Sequence, residues 1–110
     1  MKRALILSGG WEGHHPTEIT GIFKQMLVEE GYDVDICTSI HSLHSDYPLK
    51  DYKLIIPNWT MGQIPNDSLC ALLEAVQDGA GVAGIHGGMG DAFRNETEYQ
   101  FMVGGQFVAH

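Results

Sequence analysis

Two short stretches of the chain concentrate side chains able to move protons. Residues 84–88 read GIHGG, and residues 9–16 read GGWEGHHP. In the first, a polar residue between glycines at a strand-to-helix turn has the pattern of a nucleophile elbow. The glycines let the turn pass without Cβ clashes, and neighbouring backbone N–H groups can face a developing anion. His86 stands where a Cys or Ser nucleophile would be. Imidazole is an effective acid, base and metal ligand near neutral pH, but an uncommon nucleophile. The bland alternative is a turn whose histidine only bonds locally.

The second stretch offers Trp11, Glu12, His14 and His15 within five positions. Pro16 suits the first turn of a helix, which puts both histidines at its N-terminal end. Successive side chains in a loop point different ways, so one of the two, His14, is expected to face a cleft, supported by Glu12. His15 is then only the residue before a proline. Trp11 and Trp59 each follow a strand, where an aromatic face with one donor at its edge suits a sugar ring; capping the core is the alternative for either. Asp91 and Glu98 are carboxylates near the elbow, available to orient a histidine or simply solvated. Glu12, His14 and His86 could together hold zinc, but they sit on separate loops without a diagnostic spacing. No cofactor is required by the sequence.

These residues gain meaning from the elements that carry them. Ala4–Leu7 (ALIL) is a short buried-strand run. Ile19, Ile22, Phe23, Met26 and Leu27 recur at helical spacing from near Thr17, and Gly31 is a stop signal. Tyr32–Cys37 alternates as an edge-type strand, and Tyr52–Pro57 and Gly81–Ile85 are further strands. Leu69, Leu72, Leu73 and Val76 mark a second helix from Pro65-Asn66 to Gly79. TEYQFM predicts a short helix before Gly104-Gly105, with Tyr99, Phe101 and Met102 packed in the core. Residues 38–50 lack periodicity. Strand–helix alternation with short connections predicts an α/β fold with a parallel sheet, in which ligands bind beyond the carboxyl ends of the strands. Trp11, Glu12 and His14 follow the first strand, Asn58, Trp59 and Thr60 the third, and His86 the fourth, so three distant loops should share one rim.

Composition sets the outer bounds. The chain has 110 residues, enough for one domain, with 44% hydrophobic and 18% charged residues. No apolar run approaches the ~20 residues of a membrane span, and the N-terminal apolar run is shorter than a signal h-region of about 7–15 residues. A cytoplasmic protein with no membrane partner is expected. The net charge of −8 without a basic cluster argues against a nucleic-acid partner. Cys37 and Cys70 lack CxxC spacing and are expected to be reduced, buried thiols.

GGWEGHHP, PNWTMG (residues 57–62) and GIHGGMGDAFRNETEYQFMVGGQFVAH (residues 84–110) together resemble the ThuA trehalose-utilisation family, over the whole chain. The resemblance implies a flavodoxin-like doubly wound parallel sheet of the class I glutamine-amidotransferase-like superfamily. It implies a single domain over residues 1–110, truncated at the C-terminal side, since the family runs to roughly twice this length. True amidotransferases carry cysteine at the elbow; His86 stands there, and neither Cys37 nor Cys70 falls at that position, so glutamine hydrolysis is not expected. What the resemblance implies instead is catabolism of trehalose and related disaccharides, alongside an oxidoreductase that makes 3-keto sugars. On that basis His86, His14 and Glu12 would be catalytic, and Trp11, Trp59, Asp91 and His110 would bind a small sugar. The alternative is a non-catalytic sugar-binding or partner-subunit module. An exposed sheet edge would favour a homo-oligomer.

Overall fold

The computed structural model describes residues 2–41, 43–90, 92–93 and 95–104; of His86 it describes the backbone only. Four parallel strands form one sheet in the order β2-β1-β3-β4: β1 Lys2–Gly10, β2 Tyr32–Cys37, β3 Leu54–Thr60 and β4 Gly81–Val82. The helices are α1 Pro16–Glu29, α2 Leu43–Asp46, α3 Asn66–Gln77, α4 His86–Gly90 and α5 Thr97–Val103. This is a doubly wound α/β fold with the flavodoxin-like strand order.

Strand alternation divides the core between two faces. Leu5, Leu7, Cys37 and Ile55 point to one side, where Leu43, Leu69, Leu72, Phe93 and Tyr99 close over them. Ala4, Ile6 and Ile56 are also buried, on the face that α1 covers. Because β1 is covered on both faces, residues 4–7 read as an unbroken apolar run. Helix α1 begins at Pro16, whose missing N–H is no loss in a first turn, and Gly31 at φ +90° turns the chain towards β2.

Several boundaries differ from the sequence pattern. Strand β3 runs on to Thr60, because Asn58, Trp59 and Thr60 pair with Ser8, Gly9 and Gly10. Strand β4 has only two residues, although the Ala83 N–H still donates to the Ile55 carbonyl at 3.2 Å before the chain turns into α4. The unpatterned segment holds α2 and a 3-10 turn at Leu49–Asp51. Phe101 was expected in the core and is instead 75% exposed, while Tyr99 is fully buried. Both cysteines are free; Cys37 is buried as expected, but Cys70 on α3 is exposed. Burial pushes the Cys37 thiol up from its ordinary value, against its hydrogen bond to the Ser39 carbonyl.

The strand starts, at the rim opposite the elbow, are tied by charge. Tyr52 donates to Asp35 Oδ2 at 2.6 Å, and Arg3 reaches the same oxygen at 3.1 Å while lying over the Tyr52 ring. The Tyr52 hydrogen bond, helped by Arg3, holds the Asp35 carboxyl below the usual carboxylate range. A carboxyl with a lowered folded-state pKa adds stability above its unfolded value of about 3.9 and loses it as pH falls through the folded value. Asp35→Asn should therefore flatten the acid limb: between about pH 6 and about pH 3, urea midpoints should fall less for the variant than for the wild type. Equal falls would show that the cluster adds nothing.

Candidate functional site

Strands β1 and β3 are neighbours whose following helices leave to opposite faces, α1 to one and α3 to the other. The chain therefore parts at their carboxyl ends, the place where open α/β sheets hold ligands. The Trp11 N–H donates to the Thr60 carbonyl at 3.1 Å, extending the β1–β3 pairing by one bond past Gly10. A 3-10 turn over Glu12–His14 follows, and His15 takes a left-handed conformation at φ 51° to swing the chain into α1. Met61, directly after Thr60, is left-handed as well, at φ 59°. Left-handed backbone at non-glycine residues is costly, and it gathers where a neighbouring side chain must be aimed.

The side chain aimed here is His14. Its Nδ1 lies 2.7 Å from Thr60 Oγ1, and its ring meets Trp11 edge-on at 4.8 Å between centroids. A Cβ placed on Gly87 would come within 2.8 Å of His14 Cε1, so the imidazole rests against the first turn of α4 in space that a side chain would occupy. His14, Ile19, Asn58, Ile85 and Gly88 line a cleft of about 130 Å³.

A buried polar network forms the floor of this cleft. Asn58 Nδ2 donates to the Pro16 carbonyl at 3.1 Å and to Thr20 Oγ1 at 3.0 Å, and Thr20 donates to Ser8 Oγ at 2.7 Å. Ser8 in turn reaches the Pro16 carbonyl at 3.5 Å. Every donor of the set has an acceptor, so its burial carries no orphan penalty, and it locks the α1 start onto β1 and β3. Behind α4, the Tyr99 hydroxyl donates to the Met89 carbonyl at 2.6 Å, and its ring packs edge-on against Phe93. The Gly62 N–H donates to the Ala92 carbonyl at 2.6 Å, joining the segment after β3 to the segment after α4.

The residues singled out from the sequence separate into three groups. His14 and the backbone of His86 come together at the elbow, with Trp11 beside them, 48% exposed at the rim. Glu12 is exposed, as is His15, whose N–H closes the turn onto the Glu12 carbonyl. Trp59 faces the other side of β3 from Asn58 and Thr60. Its half-buried ring packs over Gly9, Gly10 and Gly62 and against the core under α3, not in the cleft that His14 lines. Glu98 lies along a separate open groove of about 550 Å³ between α3 and α5, away from the elbow. Asp91 and His110 lie outside the described residues. Among the described residues no three of His, Cys, Asp and Glu gather closely enough to hold a metal ion.

His44 bonds Ser68 Oγ at 3.0 Å, and Ser68 donates to the His41 carbonyl, so this pair fastens the loop before α2 to α3. Sequence reasoning put Asn58 and Thr60 on the rim without a chemical role, and read Ile19 and Ile85 only as parts of a helix and a strand. The signal for the first two was their spacing: two apart on a strand, they share the face that carries the cleft.

A family model described as "ThuA: Trehalose utilisation" matches residues 3–110. No curated protein matches the chain, and no solved structure does.

Proposed function

The chain belongs to the ThuA trehalose-utilisation family, and from that premise we propose that it is an enzyme of disaccharide catabolism that removes a proton beside the ketone of a 3-keto sugar. The observation that carries this reading is the placement of the His14 imidazole against Gly87, one residue after His86, at the mouth of a glycine-lined turn. His86 opens α4 at this turn, and a base for carbon with a donor for oxygen is the pair that such a step requires.

Such a step divides naturally. His86 takes the proton from the carbon next to the ketone; the C–H electron pair becomes the C=C bond of an enediolate, and the former carbonyl oxygen carries the charge. Backbone N–H groups at the start of α4 and an imidazole N–H are suitable donors to that oxygen. With the ketone at C3, the carbanion at C2 adjoins the anomeric carbon. As the C3 carbonyl re-forms, the electron pair becomes a C1=C2 double bond and expels the glycosidic oxygen, which leaves as an alcohol with the proton that His86 took from C2. The cleft would take the reacting edge of one sugar ring, and Trp11 at its rim offers an apolar face for the other ring. Trp59 supports the rim from behind. The substrate must come from an oxidoreductase that converts a secondary hydroxyl of the disaccharide to a ketone. The reaction as written needs no redox cofactor and no metal.

The test is deuterium exchange. In D2O the protein should catalyse loss of the carbon-bound proton next to the ketone of 3-keto-trehalose, followed by NMR, and should leave trehalose itself untouched. Binding of the keto sugar without exchange or product would make the chain a non-catalytic sugar-binding module and sink the reading.

A further inference from the structure

Thr60 is buried, 4% exposed, at the end of β3, and its hydroxyl contacts His14 Nδ1 at 2.7 Å. A hydroxyl and an imidazole nitrogen can share a hydrogen bond in either sense, and the sense decides which nitrogen of the neutral ring carries the proton. The hydroxyl carries a proton of its own, and a buried O–H left without an acceptor is costly. Among the described residues the acceptor within its reach is His14 Nδ1; the Thr60 carbonyl is already engaged by the Trp11 N–H.

From this geometry we infer that Thr60 donates to His14 Nδ1 and so fixes the tautomer of His14: the neutral ring carries its proton on Nε2. Thr60 is then a positioning residue, and His14 is the donor of the pair rather than its base. The ring is held on three sides, by the Thr60 hydroxyl, by the edge of Trp11 and by the backbone of Gly87, so both its orientation and its tautomer are set before a ligand arrives. The ligand chemistry that fits is an uncharged oxygen that gains negative charge, such as a ketone carbonyl; an Nε2–H has no lone pair for a cation or an ammonium group. The tautomer rests on geometry alone. Its use as the donor to the enediolate oxygen rests on the reaction proposed above, in which the carbon proton then goes to His86.

The test is long-range 1H–15N NMR of the whole chain at neutral to alkaline pH, in the wild type, Thr60→Val and Thr60→Ser. In the wild type His14 Nε2 should resonate as a protonated nitrogen and Nδ1 as an unprotonated one. Thr60→Val should lose this preference and give mixed tautomers, and Thr60→Ser should restore it. In the exchange assay Thr60→Val should be slower by roughly fivefold, the worth of one neutral hydrogen bond, and Thr60→Ser should stay within about twofold of wild type. A proton on Nδ1 in the wild type overturns the assignment, as does an unchanged tautomer in Thr60→Val. Should Thr60→Val fail to fold, the wild-type and Thr60→Ser spectra still decide it. An Nε2–H tautomer in a protein that exchanges no keto sugar would keep the role of Thr60 and remove the proposed reaction.

Discussion

His86→Ala is expected to slow keto-sugar exchange by about 10²–10⁴-fold, the range over which a positioned acid or base accelerates a proton transfer. His86 opens α4 one residue before Gly87, where the glycine-lined turn brings the His14 ring alongside. His14→Ala should cost about 10²-fold, as the loss of one donor to a developing oxyanion does. The double variant should fall little below the worse single one, because base and donor act on the same transition state and their losses do not add. Replacing an exposed histidine away from the cleft, such as His41, should leave the rate within about twofold. A His86→Ala protein with wild-type exchange would remove His86 from the mechanism, and it would shift attention to Asp91 and His110 as sources of the base.

Gly10→Ala should destabilise the fold by about 2–5 kcal/mol, from the left-handed backbone and the overpacking together. Gly10 sits at φ +82°, and an added Cβ would land on the Thr60 carbonyl oxygen and within 2.5 Å of the Thr60 nitrogen. Both are backbone atoms, so no rotamer change relieves the clash; β1 and β3 must part where they support the site. The Trp11–Thr60 bond lies at that point, so the folded fraction should also lose most of its exchange activity. The control is Gly21→Ala in α1, where an added Cβ meets nothing within 4 Å. That change should raise stability by about 0.5–1 kcal/mol through helix propensity. Urea unfolding of the three proteins measures both. A Gly10→Ala midpoint equal to wild type would show that the two strands part there without cost.

What could be read from the sequence followed from local pattern. Apolar runs and 3.6-residue spacing located all four strands and the helices α1, α3 and α5, and strand–helix alternation implied the parallel sheet. Features that depend on pairing between distant segments stayed hidden. Residues 58–60 are a polar stretch after the apolar run of β3, with nothing local to mark them as strand; only the glycines at 9 and 10 let them approach β1. Trp59 looked like a partner of Trp11, yet alternation along β3 sends it to the opposite face from Asn58 and Thr60. Phe101 fits a helical core pattern, but its short helix buries Tyr99 and leaves position 101 outward. That the loop carrying His14 would approach the turn at 86–88 was legible, because both follow strand ends on a single rim. Thr60 as the anchor of His14 was not, since a threonine at a strand end is ordinary until its neighbour across 46 positions is known.

The walls of the cleft are of two kinds, and the difference bears on how such a protein diverges. Asn58 and Gly88 are pinned: the first by its bonds to Pro16 and Thr20, the second by the Asn58 amide oxygen, which an added Cβ would approach to 2.9 Å. Ile19 and Ile85 offer the cleft only aliphatic side chains, and Ile85 is 53% exposed, so its replacement sacrifices little burial. If the cleft takes a sugar as proposed, drift can reshape the space offered to it through positions 19 and 85 while the groups at 14 and 60 stay fixed. Lineages that exchange one disaccharide for another should record the change in those two columns of sequence and remain silent at 58, 60 and 87.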